Sequence, residues 1–194
     1  MENRDFTQIF TNEDTKVGYI PGSPTVLFIK TGQGGTIYGH ENKYLNLAIH
    51  VNEKYGCSVF VSATSDDSIE AHLGDMAVLD SVFVNKSYQI YYLGVSKGGL
   101  IGIWHGVNNE KIKGILTVNA PLMINFHSKT LPAIKSLGKE KLTMLYGSLD
   151  PSYKYVPFVE KWANLAIIEG ADHNLNGARI SLAKIVEDLL LGAG

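Results

Sequence analysis

Tyr91-Tyr92-Leu93-Gly94-Val95-Ser96-Lys97-Gly98-Gly99-Leu100 is the stretch on which the reading of the chain turns. Tyr88 to Leu93 reads as a buried strand, and Gly99 to Val107 as a helix rich in small and apolar residues. Gly94-Val95-Ser96-Lys97-Gly98 joins them as a G-x-S-x-G. A strand-to-helix turn this tight strains the backbone of its central residue and projects that side chain above the sheet. A Cβ at either glycine would collide with the neighbouring strand or helix. Ser96 then lies at a helix N-terminus, where N–H groups and the helix dipole favour developing negative charge.

Outward from this turn, strand and helix patterns alternate. Upstream, Phe6 to Phe10 and Lys16 to Ile20 read as short strands around a polar turn at Thr11 to Asp14, with Pro21-Gly22-Ser23-Pro24 as a second turn. Thr25 to Lys30 is a continuous apolar run, as expected of a strand covered on both faces. Helices are predicted over Glu41–Tyr55 and Asp67–Val84, with a strand over Ser58–Ser62 between them. Downstream strands are predicted over Ile112–Val118, Leu142–Tyr146 and Leu165–Ile168. A closing helix is predicted from about Ala171 to Leu191, with Leu182, Ile185, Val186 and Leu189 inward. Repeated βα units predict an α/β fold with a mostly parallel central sheet and helices on both faces. Ligands in such sheets bind beyond the carboxyl ends of the strands, so the loops that follow strands carry the candidate site.

The elbow and the order of elements resemble the α/β-hydrolase superfamily, from about Thr25 to Leu191. The resemblance implies a nucleophile, an acid and a histidine in that chain order. Leu142-Thr143-Met144-Leu145-Tyr146-Gly147-Ser148-Leu149-Asp150-Pro151 resembles the acid loop and puts Asp150 after a strand. Ile167-Ile168-Glu169-Gly170-Ala171-Asp172-His173-Asn174-Leu175 resembles the histidine loop and puts His173 after the last one. The implied roles are nucleophile for Ser96, general base and acid for His173, and orienting carboxylate for Asp150. The resemblance also implies an oxyanion hole made by the backbone N–H of Lys97 and one from Lys30-Thr31-Gly32-Gln33-Gly34-Gly35. Motif position favours Gln33, with Gly34 next. The superfamily commonly has His-Gly at the start of this loop, where this chain has Thr31-Gly32.

Other readings of the same residues are weaker. Asp150 before Pro151 also suits an ordinary turn. Asp172 adjoins His173 but is expected to cap the closing helix. Lys97 is expected to be solvated, with only its N–H used. His50, His72 and His105 fall in predicted helices, while His40 and His127 fall in loops that border the site. Gly32-x-Gly34 does not extend to a dinucleotide fingerprint, which needs glycine where Ile37 stands, and the elbow lacks P-loop spacing. No His, Cys or Asp cluster has metal-site spacing, so neither metal nor cofactor is expected. Cys57 opens a strand and reads as an inert core residue.

A chain of 194 residues, 45% hydrophobic and 19% charged, predicts one soluble domain over 1–194. A net charge of −2 gives no general field for nucleic acid or anionic membrane. The single cysteine cannot form an internal disulfide, and no stretch reads as a signal peptide or membrane span; a cytoplasmic location is expected. Only Pro121 to Lys141 separate the strands between which many α/β-hydrolases carry a cap, room for one short helix at Leu131–Leu137. A minimal or absent cap and an open site are therefore expected. The function implied is hydrolysis of a small carboxylic ester, thioester or lactone through an acyl-enzyme. The alternative is a non-catalytic ligand-binding protein that keeps the fold. No substrate-binding residue is read from the sequence.

Overall fold

Eight strands form one sheet in the order β1-β2-β4-β3-β5-β6-β7-β8. The computed structural model describes residues 4–11, 16–63 and 69–188, with the backbone alone at 69 and 70. The strands are β1 (Gln8–Thr11), β2 (Lys16–Ile20), β3 (Ser23–Lys30), β4 (Cys57–Ser62), β5 (Gln89–Val95), β6 (Ile112–Val118), β7 (Leu142–Gly147) and β8 (Asn164–Ile168). β1 and β2 enter antiparallel, and every pairing from β4 onward is parallel. The parallel strands therefore end on one edge, which gathers the loops holding Gly32, Ser96, Asp150 and His173.

The helices are α1 (Lys43–Tyr55), α2 (Ile69–Val82), α3 (Lys97–Gly106), α4 (Leu131–Lys141), α5 (Val156–Val159) and α6 (Leu182–Val186). Two apolar layers cover the sheet. Val26 and Phe28 of β3 pack with Met76 and Leu79 of α2, Leu100 and Ile103 of α3, and Ile134 of α4. Leu27 and Ile29 of the same strand point the other way, to Leu47, Ala48 and Val51 of α1 and Ile185 and Val186 of α6. The two-residue period thus converts one apolar run into two core faces.

Several boundaries differ from the sequence reading; β5 runs on to Val95 and α3 starts at Lys97, closing the expected turn to one residue. β1 starts at Gln8 rather than Phe6, and β3 starts at Ser23, inside the expected turn. α1 starts at Lys43 rather than Glu41, because Glu41 and Asn42 are left-handed, with φ of 52° and 58°. The closing helix starts at Leu182, not near Ala171. Residues 171–181 make irregular turns through Leu175 and Gly177, whose φ values of 62° and 88° no helix accommodates. The expected turn at Asn12 to Asp14, the helix start at Asp67, and Leu189 and Leu191 lie outside the described residues.

A polar group is sealed between β3, β4 and α2. Lys30 Nζ lies 2.6 Å from Asp75 Oδ2 and 2.9 Å from Ser62 Oγ, and Ser62 Oγ lies 2.7 Å from Asp75 Oδ1. Both charged side chains are 1% exposed. One turn earlier on α2, His72 is buried and stacks on His105 of α3, with ring centroids 5.2 Å apart. Burial, then the neighbouring His105 and Lys30, lower the His72 pKa from 6.5 to about 4.

His72 is therefore neutral in the folded protein at pH values where it is protonated in the unfolded chain. Its contribution to stability is complete above about pH 6.5 and is lost as the pH falls toward about 4. The urea midpoint is expected to decline across that window. His72→Leu is expected to flatten the decline, measured by urea titrations at intervals from neutral to acid pH.

Candidate active site

β5 ends at Val95 and α3 begins at Lys97, so Ser96 alone makes the turn. Its φ of 51° and ψ of −122° lie outside the regions L-residues ordinarily occupy. Backbone strain of this kind concentrates at functional positions. The turn is held by the Ser96 N–H, which donates to Val118 O at 2.8 Å, and by the Ser96 carbonyl, which accepts from Gly99 N–H at 2.9 Å. A Cβ at Gly98 would lie 2.3 Å from the carbonyl oxygen of Lys30, and one at Gly94 would lie 2.4 Å from Gly99 Cα. The expected collisions are real: Gly98 meets the end of β3, and Gly94 meets the start of α3.

The same edge brings together the three side chains singled out in the sequence. Ser96 Oγ is 3.0 Å from His173 Nε2, and His173 Nδ1 is 2.5 Å from Asp150 Oδ2. The Asp150 carboxylate is sealed from solvent, whereas the imidazole is 42% exposed. The other carboxylate oxygen of Asp150 accepts the Ser152 N–H at 2.7 Å. One oxygen thus fixes the acid loop and the other faces the imidazole. Asp172 does not cap α6, whose N-terminus is capped by Ser181 Oγ. It ties its own loop instead: Oδ1 accepts the N–H groups of Asn174 and Asn176, both at 2.9 Å. The side-chain amide of Asn176, and then these two backbone bonds, hold its pKa below the usual carboxylate range.

Asn119, the residue that follows β6, joins the loops. Its side-chain amide donates to the carbonyls of Asp172 and His173 at 3.1 and 2.8 Å, and its oxygen accepts the Gly147 N–H at 2.9 Å. Asn119 is fully buried, with φ at 51°. Gly147 allows the acid loop to approach the histidine loop, since a Cβ there would lie 2.2 Å from Ala171 O.

A cavity of about 500 Å³ opens beside Ser96. The glycine-rich loop forms one wall, and Gln33 and Gly34 both line it. A Cβ at Gly32 would lie 3.2 Å from Ser96 Cβ, so this backbone runs against the serine. His173, Asn174, Leu175 and Leu182 form another wall. His40, Lys43 and Tyr44 close the cavity from the start of α1. His40 borders it as expected; His127 does not line it and lies in the helical turn Phe126–Thr130. Lys97 is half-buried rather than solvated. Cys57 is buried, and burial raises its thiol pKa, as suits an inert core residue.

No protein-family model matches the chain, and no curated protein matches it. The likeness is in three dimensions. Est1E from Butyrivibrio proteoclasticus superposes with a TM-score of 0.69 over 93% of this chain and 94% of that one, at 14% identity. The fold is that of the α/β-hydrolases. An alpha-beta serine hydrolase homologue from Coxiella burnetii gives 0.66 over 97% and 98% of the two chains, at 16% identity. XC6422 from Xanthomonas campestris, an a/b serine hydrolase without lid, gives 0.65 over 97% and 94%, at 12% identity. The α/β-hydrolase fold is present here without a cap among the described residues. Between β6 and β7 the one long element is α4, bent at Gly138, and its Ile134 and Leu137 are buried against the sheet.

Leu182 was read as a core-facing position, and Lys43 was not singled out. The helical period places a side chain on a face, but does not show that the first turn of α1 and the start of α6 overhang a cavity. Asn119→Ala would leave the buried Gly147 N–H without its acceptor and untie the histidine loop. A loss of about 1–3 kcal/mol in unfolding free energy is expected, measured by denaturant titration.

Proposed function

We propose that the chain is a serine hydrolase that cleaves a carboxylic ester of a small substrate, with Ser96, His173 and Asp150 as its triad. The observation that carries this reading is the unbroken line of hydrogen bonds from Ser96 Oγ through His173 to Asp150, with the serine at a strained elbow. The Est1E and serine hydrolase likenesses support it at the level of fold. Thioesters and lactones would yield to the same machinery.

In the proposed reaction Ser96 Oγ attacks the carbonyl carbon while its proton passes to His173 Nε2. Negative charge gathers on the former carbonyl oxygen, which faces the N–H groups of Lys97 and Gln33. A preorganised donor of this kind typically lowers the barrier by ~3–4 kcal/mol. The tetrahedral species collapses, the ester C–O bond breaks, and the leaving alkoxide takes the proton from His173. Water then gives a proton to His173 and attacks the acyl carbon; collapse frees the acid and returns the proton to Ser96 Oγ. Asp150 stays ionised, holds the Nδ1–H tautomer and stabilises the imidazolium. One α/β-hydrolase domain carries all of these parts, and the buried thiol suits the cytoplasm.

The test is a fluorophosphonate probe with peptide mapping, since such probes modify serines activated by a base and an oxyanion hole. Rapid labelling at Ser96 is expected, and its loss in His173→Ala. Ester turnover should fall by several orders of magnitude in Ser96→Ala and His173→Ala, and substantially in Asp150→Asn, with unchanged folding by circular dichroism. Absence of labelling in folded protein would reject the hydrolase.

A further inference from the structure

The cavity beside Ser96 is charged on one side only. Among the described residues Lys43 is its permanent cation, and no aspartate or glutamate lines it. Of the carboxylates near the cavity, Glu41 makes no ion pair with Lys43 among the described residues, and two others are committed elsewhere. Asp150 bonds His173 and Ser152, and Asp172 bonds the N–H groups of its own loop. The Tyr44 hydroxyl adds no negative charge, because burial pushes its pKa up to about 12.

Lys43 contrasts with three lysines held in ion pairs and shares with Lys129, Lys154 and Lys161 a place over an aromatic ring. Lys54 pairs with Glu187, Lys111 with Asp80 and Lys184 with Asp188. Among the described residues no carboxylate pairs with Lys43. Its ammonium instead sits over the Tyr44 ring, 5.0 Å from the centroid, and both residues line the cavity. The backbone that presents it is unusual. Gly39, Glu41 and Asn42 all have positive φ, at 70°, 52° and 58°. A Cβ at Gly39 would lie 2.6 Å from the Tyr44 ring and 2.9 Å from Lys43 Cγ. The Gly39 N–H is held by Thr36 Oγ1 at 3.0 Å, which joins this segment to the glycine-rich loop. Two left-handed residues and a packed glycine thus place a cation at the wall of the cavity, with no carboxylate counter-ion among the described residues.

We infer that the substrate is a short ester that also bears a carboxylate, and that Lys43, assisted by His40, binds that carboxylate while Ser96 attacks the ester. This rests on the ester-hydrolase reading above. The volume of about 500 Å³ suits a small molecule. In a chain of net charge −2, one lysine at the cavity wall supplies a local attraction that the molecule as a whole does not.

The test uses two matched pairs of esters, followed by pH-stat titration and corrected for background hydrolysis. Monoethyl succinate against ethyl butyrate places the charge on the acyl side. 4-Acetoxybenzoate against phenyl acetate places it on the alcohol side. In at least one pair, kcat/KM for the anionic member is expected to exceed that of the neutral member. That ratio should fall about fivefold in Lys43→Gln, mainly through KM, the size of a single solvent-facing ion pair. It should also shrink as salt rises from about 20 mM to about 500 mM. Lys113→Gln, which removes the same charge far from the cavity, should leave the ratio as it was. Turnover of neutral esters with no anionic preference, or a preference that survives in Lys43→Gln, overturns the inference and leaves the hydrolase standing. Labelling at Ser96 without turnover of any of the four also overturns the inference alone. Neither labelling nor turnover overturns both.

Discussion

The backbone at Gly98 lies against the carbonyls of Lys30 and Thr31, and this contact sets the site. A Cβ there would come within 2.3 and 2.6 Å of those oxygens. No side chain fits, so α3 enters directly over the junction of β3 and β5. That closeness goes with a turn a single residue long, at which Ser96 takes its strained conformation of positive φ. The same contact brings Gly32 beside the serine. Presentation of the hydroxyl and approach of the glycine-rich loop are therefore one packing event. The Tyr92 hydroxyl secures it from below by donating to Gly98 O at 2.9 Å.

The other half of the site is assembled by polar contacts rather than by exclusion. The acid and histidine loops follow the adjacent strands β7 and β8, and their separation is ruled from a third strand. Asn119 supplies that rule by bonding both loops from the end of β6, and the bare Cα of Gly147 lets them touch. Buried side-chain bonds to backbone are directional and intolerant of shifts, so the distance between Asp150 and His173 follows from positions outside either loop.

Much of this was legible in the sequence. Apolar runs marked the strands, because a strand covered on both faces has no polar side to show. The glycines around Ser96 marked the elbow, because only the absent Cβ explains them. Asp150 and His173 stood out by their place after strands. What stayed hidden is what depends on contacts remote in sequence. The bonding partners of Asn119 lie at Gly147, Asp172 and His173. The start of the closing helix was misplaced because residues 171–181 are organised by the Asp172 carboxylate, which leaves no periodic trace. Lys43 was not singled out, since periodicity does not show where a helix begins to overhang a cavity.

The sealed group of Lys30, Asp75 and Ser62 has a consequence for how such a chain can diverge. Removing one charge strands its partner in the core, a loss of roughly 3–5 kcal/mol, which is on the scale of a domain's whole stability. Replacing both by apolar residues of similar bulk avoids that penalty. Descendants of this sequence therefore keep Lys30 and Asp75 together or exchange them together, and the intermediate with only one is a valley between them. Lys30 directly precedes the glycine-rich loop, so that loop inherits the conservatism of its anchor. Variation that retunes the pocket is channelled to the start of α1, where no buried charge holds the sequence in place.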